Sequence, residues 1–168
     1  LVATPGGASS NTYATITEAA DYYAGHVGHD TWTAATSAAQ AEALVHATRL
    51  LDQWVDWDGS KPTEEQALRW PRYSVNDLDG YVYDSNIIPT FLINATSELA
   101  GKLVDGDTTG DPDTLGFSKL KAGSLELEVD KYDRDKMGAI PDSVRVIIEP
   151  YGIIRHRSGS GSATLVRT

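Results

Sequence analysis

The stretch "SAAQAEALVHATRLLDQWV", residues 37–55, decides the fold. Leu44, Ala47, Thr48, Leu51 and Val55 recur at three- and four-residue intervals, with Ala43, Leu50 and Trp54 beside them. That period is the signature of an amphipathic helix, and a stripe this wide is expected at the centre of a helical bundle. Ser37 followed three residues later by Gln40 marks its start as a capping box. Outward from it, "TITEAADYYAGH" repeats the capping spacing with Thr15 and Glu18, and carries Ile16, Ala19, Ala20, Tyr23 and Val27 at helical intervals.

Two further helices follow. Pro89 suits a first turn, and Leu92, Ala95, Leu99 and Leu103 continue from it until "DGDTTGDPD" stops the pattern. Pro141 starts the last one, with Asp142 in its first turn and Val144, Ile147, Ile148 and Tyr151 behind. Between them "GSLELEVD" alternates with period two, and with "FSKLK" and the turn signal Ala122-Gly123 it predicts a hairpin at about residues 115–130. One apolar face of that hairpin needs a cover.

The expected fold class is therefore mainly α: a small helical bundle with a β-hairpin insertion and an extended C-terminal arm. A bundle domain spans residues 1–152, and residues 153–168 form the arm, a Gly/Ser linker ending in the apolar pair Leu165-Val166. At 168 residues one core suffices, and 40% hydrophobic with 23% charged residues is the composition of a folding chain. No run is long and apolar enough for a transmembrane helix, and "LVATPGGASS" lacks the features of a signal peptide, so no membrane association is expected. The absence of cysteine excludes disulfides and thiolate metal sites.

The net charge of −10 is uneven: Arg155, Arg157 and Arg167 lie in residues 155–168 with no acid, leaving eleven cations against 24 acids before them. An acidic body with a basic tail repels DNA, whose backbone is bound by neutralising Lys and Arg.

Residues 56–88 show little periodicity, which is long for a structureless connection. Six of the fourteen aromatics lie in or beside it: Trp54, Trp57, Trp70, Tyr73, Tyr81 and Tyr83. Thr63 with Gln66 predicts one or two helical turns in "TEEQALRW", stopped where Pro71 drives Trp70 out of the α region. Trp70, Pro71 and Arg72 read as a loop anchor, with the indole packed on the bundle and Arg72 paired to a nearby acid. A base-stacking site is disfavoured by Asp56, Asp58, Glu64, Glu65, Asp77 and Asp79 around it.

Other candidate chemistry is weak. His26 and His29 have a metal-ligand spacing but no third ligand, so no metal is expected. His46 reads as a surface residue. Asp105, Asp107 and Asp111 begin a calcium-loop pattern that fails at Thr109 and Gly116. Glu126 and Glu128 read as neighbours on a solvent-facing strand rather than a catalytic pair. There is no phosphate loop, nucleophile elbow or H-E-x-x-H, so neither an enzyme nor a cofactor is expected.

The ordered run "TPGGASSNTYATITEAADYY", Trp32, "ALVHATRLLDQWVDWDGSK", "QALRWPR", "DLDG" and "IPTFLINATSELAGKL" resembles the tailed-bacteriophage head-to-tail adaptor (connector) family. Many members of that family carry the description DnaT-like single-stranded DNA-binding protein. The resemblance covers about residues 5–105 in motif and the rest in architecture. It implies a homo-oligomeric ring, commonly twelvefold, below the portal protein, with a tail or stopper/terminator protein on the other rim. DNA would pass through the ring without specific binding.

The location implied is the neck of the virion, after synthesis in the host bacterial cytoplasm. Ile153, Ile154, Arg155, Arg157, Leu165, Val166 and Arg167 would form the portal-binding arm, with "WPR" in the loop that completes the bundle. A short apolar arm suits strand addition or pocket insertion, multiplied around a ring. The alternative from another class is a single-stranded DNA-binding, DnaT-like replication protein. A carbohydrate-active enzyme has only Trp and Glu content behind it.

Overall fold

The computed structural model describes residues 1–27, 30–104, 119–122, 125–128 and 140–155, the hairpin strands by their backbone. The chain is mainly α with a small β-hairpin. Its elements are α1 (Ile16–Ala24), α2 (Asp30–Ala34), α3 (Ser37–Trp54), β1 (Val55–Trp57), α4 (Thr90–Val104), β2 (Lys119–Ala122), β3 (Leu125–Glu128) and α5 (Asp142–Ile148). A 3-10 turn over Glu149–Tyr151 then leads into β4 (Gly152–Ile154). Among the described residues no helix is long and apolar enough to cross a membrane.

The start of α1 follows from its sequence. The Thr15 hydroxyl accepts from the Glu18 amide at 3.2 Å while the Glu18 carboxylate accepts from the Thr15 amide at 2.7 Å, so each orphan donor of the first turn is satisfied by the other's residue. The capping of α3 differs from expectation. Thr36, not Ser37, is the N-cap, its hydroxyl accepting from Ala39 N. Gln40 instead reaches back to the Trp32 carbonyl at 2.9 Å and ties α3 to α2. α2 itself has too few residues to show a period, and it exists to bury Trp32, which stacks on Tyr23 with centroids 5.5 Å apart.

The centre of the bundle is α4, which touches α1, α2, α3 and α5, whereas the wide stripe of α3 packs along one side of it. Small residues make this possible: Ala95, Thr96, Ser97 and Ala100 are buried on α4 and let its neighbours approach closely. The Thr96 and Ser97 hydroxyls are satisfied by the carbonyls of Leu92 and Ile93 in the preceding turn. Leu44, Leu51, Leu92, Leu99, Val144 and Ile148 fill the remaining space. Val55, expected to extend α3, instead turns into β1.

β1 pairs antiparallel with β4, matching Val55 with Ile154, Asp56 with Ile153 and Trp57 with Gly152. The pairing stitches the chain's late residues to the end of α3. The expected hairpin is present as β2 and β3 in antiparallel register, Ala122 opposite Leu125 and Lys119 opposite Glu128. Which way its Leu residues face lies outside the described residues.

Candidate functional site: the Trp70 loop and a cationic groove

No helix forms in residues 58–88; "TEEQALRW" is a series of bends. The reason is Gln66. Its buried amide Nε2 donates to the carbonyls of Leu68 at 2.9 Å and Pro71 at 3.1 Å, a local bonding pattern that competes with helix. Trp70 is only 1% exposed, and the Trp70–Pro71 peptide bond is cis. The indole meets Trp57 and Phe91 edge-on at 5.9 and 5.4 Å, while Phe91 stacks on Tyr151 at 3.7 Å and Tyr83 closes the cluster. A ring held this way offers no face to a base or sugar.

The expected pairing of Arg72 with an acid is replaced by carbonyls. Its guanidinium donates to the backbone oxygens of Asp58, Trp57, Gly59 and Arg69 at 2.5–3.3 Å. One rigid fork thereby gathers four carbonyls from two chain segments, residues 57–59 and Arg69, a use of Arg that Lys cannot copy. Burial lowers its pKa from the usual guanidinium value.

A second knot was not read from the sequence. The Tyr13 hydroxyl donates to Asp52 Oδ1 at 2.5 Å and accepts from the amides of Arg69 and Trp70 at 3.1 and 3.2 Å, while Asp52 Oδ2 accepts from the Arg69 amide at 3.2 Å. Thr48, one turn before Asp52, accepts from the Tyr13 amide. The available signal was a carboxylate four residues after Thr48 on the buried side of α3.

Burial drives the Tyr13 pKa well above its ordinary value and also raises that of Asp52. Because the folded pKa of Asp52 lies above the unfolded one, its stabilising contribution is complete below the ordinary 3.8 and is lost as pH rises through the folded value. Asp52→Asn, which cannot titrate there, should therefore gain on the wild type as pH rises from 3.8. Urea midpoints measured across a pH series check this, and a gap independent of pH contradicts it.

Around this knot lies a groove of about 720 Å³ lined by Arg49, Lys61, Arg69 and Arg155, with Val45, Ala67 and Leu68. Of the seven Lys and Arg whose side chains are described, four line it. Against them stand Asp52 and, at its edge, Asp56, which pairs with Arg155 and Arg69. Hydrogen bonds from Arg155 hold Asp56 below the ordinary carboxylate pKa. The otherwise acidic chain thus concentrates positive charge in one place. No aromatic ring lines it among the described residues.

The opposite chemistry projects from residues 73–87, which hold Asp77, Asp79 and Asp84 and no cation. Leu78 is 79% exposed, Tyr81 74% and Val82 67%. The tip is nonetheless ordered: Asp77 Oδ1 accepts from the amides of Asp79 and Tyr81, Asn76 bridges Val82, and Gly80 supplies a φ of +92° at the turn.

The expected arm divides. Ile153 is exposed, Ile154 is buried and the Arg155 amide donates to the Trp54 carbonyl at 2.7 Å, so these three belong to or abut β4. The boundary placed between residues 152 and 153 therefore falls within a strand. Arg157, Leu165, Val166 and Arg167 lie outside the described residues, as do His29, Asp105, Asp107, Thr109, Asp111 and Gly116.

His26 stacks on Tyr22 and its Nδ1 lies 2.6 Å from the Tyr22 carbonyl. His46 sits beside Arg49 on α3. Glu126 and Glu128 lie on β3. Among the described residues no cluster of three metal-binding side chains occurs.

The model of one protein family, described as "Putative DnaT-like ssDNA binding protein", matches residues 2–168. The chain belongs to that family. No curated protein and no solved structure matches it. The DnaT-like description names DNA binding and no virion role.

Proposed function

We propose that this member of the DnaT-like family is a structural assembly protein, a head-to-tail adaptor that forms a ring between portal and tail proteins and works without catalysis or cofactor. The observation that carries the reading is the ordered, exposed apolar tip at Leu78, Tyr81 and Val82. Exposed apolar side chains on a hydrogen-bonded loop are what protein interfaces use, and they cost solubility where nothing covers them. The acids beside it and the net charge of −10 suit a conduit to which passing DNA does not adhere. Contact with the portal is assigned to residues 156–168, since Ile154 and Arg155 are engaged with the body.

The groove of Arg49, Lys61, Arg69 and Arg155 and the family description favour a second reading, single-stranded DNA binding. Against it, single-strand sites pair a cationic track with exposed stacking rings, and here Trp70 is buried while the exposed tyrosines sit among acids. Titration with a labelled oligonucleotide at low salt separates the two. The adaptor reading expects no saturable binding. Micromolar or tighter affinity that falls steeply with salt and disappears in Arg49→Glu/Lys61→Glu reverses the order.

A further inference from the structure

We propose that copies of this chain associate head to tail, the acidic apolar tip of residues 77–84 of one copy seating in the Arg49–Lys61 groove of the next. The inference rests on the assembly reading and names its mating surfaces. The tip carries Asp77, Asp79 and Asp84 with no compensating cation, around Leu78, Tyr81 and Val82. The groove carries Arg49, Lys61, Arg69 and Arg155 against Asp52 and Asp56, around Val45, Ala67 and Leu68. The tip's charges are all negative, while the groove's four cations outnumber Asp52 and Asp56, so the two surfaces carry opposite net charge beside apolar side chains.

The two surfaces belong to one chain but share no residue. Two different patches that fit each other make a heterologous contact, which generates a ring when the rotation closes. The tip is already in a single shape, with Asp77 N donating to Tyr81 O at 2.8 Å and Tyr83 N to Val75 O at 2.9 Å, so little ordering is needed on docking. The chain's own C-terminal residues are poor rivals for the groove, since Arg157 and Arg167 repeat its charge with no acid among residues 156–168.

A charge swap tests the pairing in the full chain. Asp79→Lys/Asp84→Lys alters the tip and Arg49→Glu/Lys61→Glu the groove, all four at exposed positions. Sedimentation of the wild type should show concentration-dependent self-association that weakens with salt. Each double variant should raise the dissociation constant roughly 100-fold, the tip variant melting as the wild type does and the groove variant losing the hydrogen bond from Lys61 Nζ to the Gln66 carbonyl. An equimolar mixture of the two variants should regain association, because every contact between unlike copies then pairs opposite charges.

Variants that associate as the wild type does overturn the pairing and leave the assembly reading standing. So does a mixture that stays dissociated. A wild type that remains monomeric at its highest soluble concentration overturns the inference, and the assembly reading is then decided by the protein's presence in particles. Oligonucleotide binding that Arg49→Glu/Lys61→Glu abolishes, without loss of self-association, assigns the groove to nucleic acid instead.

Discussion

Trp70→Ala should lower the free energy of unfolding by ~3–5 kcal/mol, the range for removing a fully buried large aromatic from a core that cannot close around the gap. Trp70 is the largest fully buried side chain, and its ring is the shared neighbour of Trp57, Tyr83 and Phe91. Tyr83 belongs to the long loop, Trp57 to β1 and Phe91 to α4, so a single truncation loosens three parts of the molecule at once. Denaturant unfolding followed by far-UV circular dichroism reads the loss. A change under ~1 kcal/mol would show that the hydrogen bonds of Gln66 and Arg72 hold the loop without the indole.

Gly59→Val should cost ~3 kcal/mol or more, for two reasons that add. Gly59 has a φ of +70°, a region that β-branched residues avoid. A Cβ there would also collide with the Tyr73 carbonyl oxygen and lie 2.8 Å from Val75 Cγ2. The carbonyl is backbone and cannot rotate away, and Ser60 and Tyr73 exchange two backbone hydrogen bonds beside it at 3.2 and 2.8 Å. The substitution therefore separates the two sides of the loop below the tip. Limited proteolysis should cut the variant within residues 58–75 faster than the wild type; equal rates with an unchanged unfolding midpoint contradict the account.

Much of the bundle was legible in the sequence because its signals are local. Thr15 and Glu18 are three residues apart and cap each other, and the apolar periods of α3 and α4 are carried by consecutive turns. The hairpin was legible for the same reason, two alternating segments flanking a short turn. What escaped is non-local. β1 and β4 have three residues each and form only because positions 55–57 meet 152–154, so neither shows a pattern alone. The capping spacing of Thr63 and Gln66 was misleading because Gln66 is buried by the loop's own closure and spends its amide on carbonyls ahead of it.

The groove was hidden for a related reason. Its cations stand at 49, 61, 69 and 155, with acids between them in the chain, so counting charge by segment reported an acidic body. Folding separates those charges into a positive groove and a negative tip. Net charge remains a sound argument about long-range repulsion but does not describe the surface met at contact.

The most direct test of the proposed adaptor role is the copy number of this polypeptide relative to the portal protein, by quantitative mass spectrometry of purified phage particles. An adaptor ring predicts near parity with the portal. Absence from mature particles would contradict the account and leave the cationic groove, with single-stranded DNA, as the reading to pursue.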